Sequence, residues 1–100
     1  MTFVEAERTA FKPDQTVALL VNCAVCSANI DEHETSVKYC DAALGVDSHS
    51  AKATRQKALS LFALKRHQEA KDWTKKAVLL APGDKSLRVL FEEIKAAMLD

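Results

Sequence analysis

Glycine and proline are scarce in this chain, which has only 2 of each among its 100 residues. A phosphate-binding loop needs several glycines so that the backbone can approach the phosphates closely. The scarcity therefore excludes the common glycine-rich nucleotide-binding motifs. Few helix breakers, together with a hydrophobic content of 48%, favour a compact chain built of helices.

An excess of positive charge is also lacking, because 14 Lys and Arg balance 14 Asp and Glu. Proteins that bind nucleic acids or anionic membranes usually carry a basic excess. No apolar run approaches the roughly 18 residues of a membrane span. The first residues, MTFVEAERTAF, contain acids and lack the apolar core of a signal peptide. We therefore expect no binding to nucleic acid or to membranes.

Cysteine occurs 3 times, an odd number. Cys23 and Cys26 lie inside an apolar helical segment, whereas zinc or redox pairs need a loop or a helix N-terminus that exposes their thiols. We expect these two to be small side chains, buried or half-buried, and we expect Cys40 to pack in the core. Unpaired thiols predict a cytoplasmic protein.

Catalytic and metal-binding patterns are lacking as well. No nucleophile is paired with a base, and His49 lies in a loop with no suitably spaced partner. His33 and His67 fall at predicted turns between helices, where we expect them to be solvated. The sequence therefore predicts no catalytic residue, no enzyme activity, no metal and no cofactor.

What the chain does contain is an internal repeat, in which one segment resembles another further along the chain. Residues 32–48, EHETSVKYCDAALGVDS, align with residues 66–82, RHQEAKDWTKKAVLLAP. In this register Tyr39 meets Trp73. A period of about 34 residues with two helices in each unit is typical of tetratricopeptide repeats.

The resemblance to the tetratricopeptide-repeat family rests mainly on small residues. That family keeps three positions of each repeat small, where helices pack closely, and often has a proline near the end. The residues at these positions are Ala58, Ala70, Ala77 and Pro82 in the second unit, and Ala24, Ser36 and Ala43 in the first. The resemblance implies an all-α, right-handed superhelical array of helix-turn-helix repeats.

We therefore predict a single domain, residues 1–100, with two full repeats at 16–49 and 50–83. Residues 1–12 should be the second helix of a preceding repeat, and residues 84–100 a capping helix that covers the last repeat.

Local patterns predict where the helices begin. Thr16, Ser50 and Asp84 are each separated by one repeat length and should cap the first helix of successive units. Asp31 with Glu34 resembles a capping box before the next helix. The helix after Thr16 is apolar nearly all round, which predicts burial on several sides.

The resemblance also implies a peptide-binding groove, lined by the first helix of each repeat. Co-chaperone members of the family, such as the large immunophilins, grip the terminal Asp of a partner with a clamp of Asn, Lys and Arg. Asn22 and Lys52 match two clamp positions, while Gln56 stands at the Arg position. The predicted peptide-binding residues are Asn22, Val25, Asn29, Lys52, Arg55, Gln56, Leu59 and Phe62.

The sequence thus predicts a non-catalytic protein-interaction module. The resemblance implies a co-chaperone domain with a degenerate clamp, whose partner is the acidic C-terminal tail of a heat-shock chaperone. One alternative is a regulatory or targeting domain of a larger enzyme, such as a peptidyl-prolyl isomerase. Another is a structural oligomerisation unit without a peptide ligand. Phe3, Val4 and Phe11 lack a covering helix, which predicts either self-association through the N-terminal helix or an upstream segment that supplies the missing helix.

Overall fold

The computed structural model describes residues 12–99, which fold into five helices without a strand. They are α1 (Pro13–Asn29), α2 (His33–Val46), α3 (Ala51–Ala63), α4 (His67–Leu80) and α5 (Lys85–Met98). Each helix packs on the next one along the chain, and α3 also contacts α1 and α5. The predicted all-α fold is confirmed. The helices form a row with overall extents of 54 × 27 × 17 Å.

The period of the sequence recurs in the backbone. α2 and α4 begin one repeat length apart, at His33 and His67. The turn before each of them contains a residue in the left-handed region, with φ of 63° at both Asp31 and Lys65. Non-glycine residues rarely adopt this conformation. Its occurrence at equivalent positions shows that the two units share one backbone turn.

Both of these turns close with the same hydrogen bond. The Glu32 N–H donates to the Ser27 carbonyl at 2.8 Å, and the Arg66 N–H donates to the Leu61 carbonyl at 2.9 Å. In each case the bond spans six residues, as in a Schellman motif, and satisfies a carbonyl that the helix end leaves without an internal partner. The turns therefore direct α2 back along α1, and α4 back along α3.

Two of the three predicted helix caps are confirmed. The Ser50 hydroxyl accepts a hydrogen bond from the Ala53 N–H at 3.2 Å, at the start of α3. A carboxylate oxygen of Asp84 accepts one from the Ser86 N–H at 3.0 Å, at the start of α5. Each cap satisfies one of the first N–H groups of its helix.

The remaining predictions about helix starts are wrong. α1 begins at Pro13, because proline suits the first helical position, where its missing N–H would have no partner. Thr16 instead lies inside α1, and its hydroxyl donates to the Lys12 carbonyl at 3.2 Å. The capping box of Asp31 and Glu34 does not form, since Asp31 lies in the left-handed turn and no side chain caps α2.

Small side chains occupy the close contacts between helices. The six small residues of the repeat pattern all have an exposed fraction of 0%; they are Ala24, Ser36, Ala43, Ala58, Ala70 and Ala77. Larger core residues lie towards the C-terminal end, where Leu61 packs with Leu90 and Ile94. This division explains why the small residues carry the strongest repeat signal in the sequence.

α1 is less buried than its composition predicted. Only Val21 and Ala24 of this helix are buried, while Leu19 is 48% exposed. Cys26 is exposed as well, so its predicted burial is wrong. The physical reason is that, within the described residues, α1 is packed only by α2 and α3. The helix predicted at 1–12 lies almost entirely outside the described residues.

Candidate functional site

Two cavities follow one another along α1 and α3, and each has a volume of about 220 Å³. We call the first the Lys52 pocket; it is lined by Asp14, Val17, Ala18, Val21, Asn22, Ser50 and Lys52. We call the second the Gln56 pocket; it is lined by Val25, Ala28, Asn29, His33, Gln56, Leu59 and Ser60. The helices that open the two repeat units, α1 and α3, therefore line both cavities, and we call the surface between these two helices the groove.

The Lys52 pocket brings together two of the predicted binding residues, Asn22 and Lys52. Both are exposed. The lysine ammonium offers three donors, and the asparagine amide offers two donors and one acceptor. This combination suits a carboxylate and the peptide group beside it.

Asp14 lines the same pocket and was missed by the sequence reasoning. It precedes Asn22 by eight residues, two helical turns, so the two side chains share one face of α1. That spacing could have identified it once the helix was known to begin at Pro13. The carboxylate of Asp14 opposes the binding of a second negative group.

Gln56 is held in place at the wall of its pocket. It is only 9% exposed, and its Nε2 donates to the Ser60 hydroxyl at 3.2 Å. The Ser60 hydroxyl in turn donates to the Ser36 Oγ of α2 at 2.8 Å. This buried chain of hydrogen bonds fixes the amide and ties α3 to α2. Three further predicted binding residues line the same pocket: Val25, Asn29 and Leu59.

Arg55 and Phe62 line neither pocket. Arg55 is exposed, and its Nε lies 3.8 Å from the Asp84 carboxylate at the start of α5. Phe62 packs against the core, with its ring centroid 5.7 Å from that of His67. Of these two predicted binding residues, Arg55 is therefore the more accessible to a ligand.

The charge of Arg55 is partly compensated at this site. Hydrogen bonds from Ser86, followed by the nearby Arg55 guanidinium, hold the pKa of Asp84 below its usual value. Asp84 is consequently ionised at neutral pH, and its negative charge partly neutralises the positive charge of Arg55. Less positive charge is available to a ligand than the sequence indicates.

The two turn histidines are half-buried, so the prediction that they are solvated is wrong. They are the first residues of α2 and α4. His67 packs beside the Phe62 ring. His33 Nε2 lies 3.6 Å from the Asp31 carboxylate, while its Nδ1 is buried without a hydrogen-bond partner in the described part of the chain.

The cysteine thiols differ in environment. Cys40 is fully buried, and burial, followed by the charge of Asp41, raises the pKa of its thiol to about 11. It therefore stays protonated at neutral pH. Cys23 is half-buried and Cys26 is exposed. A core position for Cys40 was predicted correctly.

Between residues 12 and 99, no three His, Cys, Asp or Glu side chains are grouped in a way that could hold a metal ion. None of the described helices combines the length and the apolar character needed to cross a lipid bilayer. The residues predicted for self-association, Phe3, Val4 and Phe11, lie outside the described residues.

Solved structures with a similar fold are tetratricopeptide (TPR) domains. The first TPR of Spaghetti (RPAP3), bound to the HSP90 peptide SRMEEVD, has a TM-score of 0.83 at 19% identity, over 95% of this chain and 72% of that one. The first TPR domain of human RPAP3 has the same TM-score and identity, over 94% and 71%. The second TPR domain of human RPAP3, in complex with the HSP70 peptide SGPTIEEVD, has a TM-score of 0.76 at 28% identity, over 79% and 66%.

Curated relatives match this chain over a small part of their own length. Zinc finger CCCH domain-containing protein 7B of Homo sapiens is 30% identical over 92 residues, which is 92% of this chain and 9% of that protein. The Hsp70/Hsp90 co-chaperone cns1 of Schizosaccharomyces pombe is 32% identical over 82 residues, 82% of this chain and 23% of that protein. No family model matches the chain.

Proposed function

Because the chain has the fold of a tetratricopeptide-repeat domain, we propose that it is a non-catalytic interaction module whose groove between α1 and α3 binds an acidic peptide tail. The presence of Asn22 and Lys52 in one exposed pocket carries this proposal. Two structural neighbours hold HSP90 and HSP70 peptides that end in Glu-Glu-Val-Asp. The proposed partner is accordingly the C-terminal tail of a heat-shock chaperone, met in the cytoplasm.

The two pockets take different parts of such a tail. In the Lys52 pocket, the Lys52 ammonium pairs with a carboxylate of the terminal Asp, and the Asn22 amide bonds to the neighbouring peptide group. In the Gln56 pocket, Val25 and Leu59 supply apolar walls for the side chain that precedes the acid. Gln56 offers its amide to the peptide backbone. Arg55 meets acids that lie outside the two pockets.

Binding through this groove should be weaker than through a complete clamp. Gln56 is neutral at the position where the clamp has Arg, and Asp14 adds a negative charge to the Lys52 pocket. A hydrogen bond to a charged group contributes about 1.5–3 kcal/mol. Loss of one such bond lowers the affinity at least about tenfold.

Titration of a pentapeptide that ends in Glu-Glu-Val-Asp tests the proposal. We expect weak binding to the unaltered chain and a clear loss in Asn22→Ala and Lys52→Ala. Lys38→Ala is the matched control, because Lys38 is an exposed lysine on α2 that lines neither pocket. The same peptide with a C-terminal amide should bind less well, since it lacks the terminal carboxylate.

Two results would contradict the proposal. One is an equal loss of affinity in Lys38→Ala and Lys52→Ala, which would mean that only overall charge matters. The other is equal binding of the amidated peptide, which would mean that the groove does not recognise the terminal carboxylate.

A further inference from the structure

A second surface, between α4 and α5, carries a larger cavity than either pocket of the groove. We call it the α4–α5 cleft; it has a volume of about 490 Å³ and is lined by Lys75, Val78, Leu79, Arg88, Phe91 and Glu92. A cavity of about 200 Å³ continues it along the same two helices and is lined by Lys71, Lys95, Met98 and Leu99. On each helix these residues recur at helical spacing, so they form one elongated surface.

Exposed apolar side chains lie along this surface. Leu79 is 83% exposed, Leu99 is 88% exposed and Met98 is 38% exposed, and Phe91 is half-buried between the helices. Contiguous apolar groups of this kind mark interaction surfaces. The surface is therefore suited to an apolar stripe from another chain segment.

Basic side chains surround the apolar ones. Among the described residues, the two cavities are lined by four cations, Lys71, Lys75, Arg88 and Lys95, and by a single acid, Glu92. Glu92 lies 3.6 Å from the Lys95 ammonium, so part of its charge is compensated. The local excess of positive charge favours a segment that carries acids between its apolar residues.

We propose that the α4–α5 cleft receives residues 2–11 of a second copy of this chain. This segment, TFVEAERTAF, contains Glu5 and Glu7 against one arginine, so its side-chain charge is opposite to that of the cleft. Its apolar residues lie at helical spacing: Phe3, Val4, Ala10 and Phe11. As a helix the segment would be about 15 Å long, close to the length of α5 from Arg88 to Met98 that lines the cleft and the cavity continuing it.

The segment also has the same pattern of small residues as α2 and α4, the second helices of the two repeats. Its residues Thr2, Ala6 and Thr9 have the same spacing as Ser36, Cys40 and Ala43 of α2, and as Ala70, Thr74 and Ala77 of α4. The six matched positions in α2 and α4 are fully buried, because they form the close contacts with neighbouring helices. Residues 2–11 therefore carry the small residues with which the second helix of a repeat packs.

α5 corresponds to α3 of the second repeat, because their N-terminal caps, Asp84 and Ser50, lie one repeat length apart in the sequence. The segment from a second copy would lie on α5 as α4 lies on α3. Glu92 replaces the small Ala58 at this contact, and Lys95 replaces Leu61. These charged side chains prevent equally close packing, so we expect reversible association and not a permanent dimer. The contact does not involve the groove between α1 and α3.

Sedimentation velocity of the full chain over a range of micromolar concentrations tests this proposal. The average mass should rise with concentration, and both Leu79→Glu and Phe3→Glu should weaken association by roughly tenfold or more. Leu79 is mostly exposed, so the variant should remain folded, as circular dichroism can verify. The matched control is Val89→Glu, at a residue of α5 that is 57% exposed but lines neither cavity; it should associate like the unaltered chain.

A mixture of two variants gives the sharpest test. Leu79→Glu keeps an intact segment and Phe3→Glu keeps an intact cleft, so the mixture should form a 1:1 complex that neither variant forms alone. Addition of the Glu-Glu-Val-Asp peptide should leave the complex intact. The proposal is overturned by a chain that stays monomeric, by a mixture that does not associate, by an equal effect of Val89→Glu, or by dissociation with the peptide.

Discussion

Replacement of Gln56 by Arg should strengthen peptide binding and destabilise the fold at the same time. Gln56 lines the groove, yet its amide also donates to Ser60 in the buried chain of hydrogen bonds that reaches Ser36. An arginine would bring to the groove the charge that a complete clamp has there. It would also place a guanidinium at a position that is only 9% exposed. The two effects arise from one side chain, and different measurements separate them.

The expected gain in affinity follows from one added charge-assisted contact. Such a hydrogen bond contributes about 1.5–3 kcal/mol, which corresponds to about a 10-fold to 100-fold lower Kd for the Glu-Glu-Val-Asp tail. The gain should shrink at high salt, because salt screens charges that are accessible to solvent.

The expected loss of stability follows from the hydrogen bond to Ser60. Its removal costs about 0.5–1.5 kcal/mol, and desolvation of the guanidinium adds to this cost. For a domain of this size, each kcal/mol lowers Tm by about 4–8 °C. The Ser60 hydroxyl can still donate to Ser36, so the fold should survive.

Calorimetric titration and thermal denaturation of Gln56→Arg and Gln56→Met test the reasoning. Met has a similar volume and no charge, so Gln56→Met should lose stability without a gain in affinity. A folded Gln56→Arg variant that binds the tail no better than Gln56→Met would refute the idea that Gln56 stands at the clamp position.

Three further outcomes are expected. Asp14→Asn should raise affinity for the acidic tail by about 1.4-fold to fivefold at low salt, because repulsion between exposed charges amounts to about 0.2–1 kcal/mol; an unchanged Kd would show that Asp14 lies too far from the ligand. Ala77→Leu should lower the free energy of unfolding by about 1–3 kcal/mol, since Ala77 is fully buried; an unchanged Tm would contradict close packing there. A thiol reagent at neutral pH should label Cys26 first and Cys40 only after unfolding, because burial raises the pKa of Cys40 to about 11; mass spectrometry that finds both labelled at one rate would contradict this.

The repeat architecture could be predicted because it depends on residues whose role is independent of context. A fully buried alanine at a helix contact, such as Ala58 or Ala77, is required wherever two helices approach closely. The same is true of caps such as Ser50, which satisfy N–H groups within their own helix. These requirements recur once in every repeat, so they are visible in the sequence.

The burial and the start of α1 could not be predicted in this way, because they depend on the residues and helices that surround it in space. The apolar character of α1 predicts burial, but the sequence does not say which element would bury Leu19. The start of α1 was misplaced because Thr16 is a good cap by type, while Pro13 fixes the first turn by geometry. In each case the wrong prediction came from reading a residue type without its neighbours in space.

The sequence alone also did not establish whether Arg55 or Gln56 faces the groove. Arg55 and Gln56 are adjacent in sequence, so their directions differ by about 100° around α3. A shift of one residue decides which of them faces the groove. The structure resolves this, since Gln56 lines a pocket and Arg55 lies near Asp84.

The groove consequently presents two amides and one cation where a complete clamp would place one amide and two cations. Asn22 and Gln56 are one repeat length apart and so hold the same position in successive repeats. Among the described residues, Lys52 is the only lysine or arginine that lines either pocket, and Asp14 opposes it. Amides recognise peptide groups and a terminal carboxylate by geometry, and their hydrogen bonds respond little to ionic strength. We therefore expect the affinity for an acidic tail to fall only modestly as salt increases. A steep decrease in titrations at several salt concentrations would instead assign most of the binding energy to charges, those of Lys52 in its pocket and Arg55 outside the pockets.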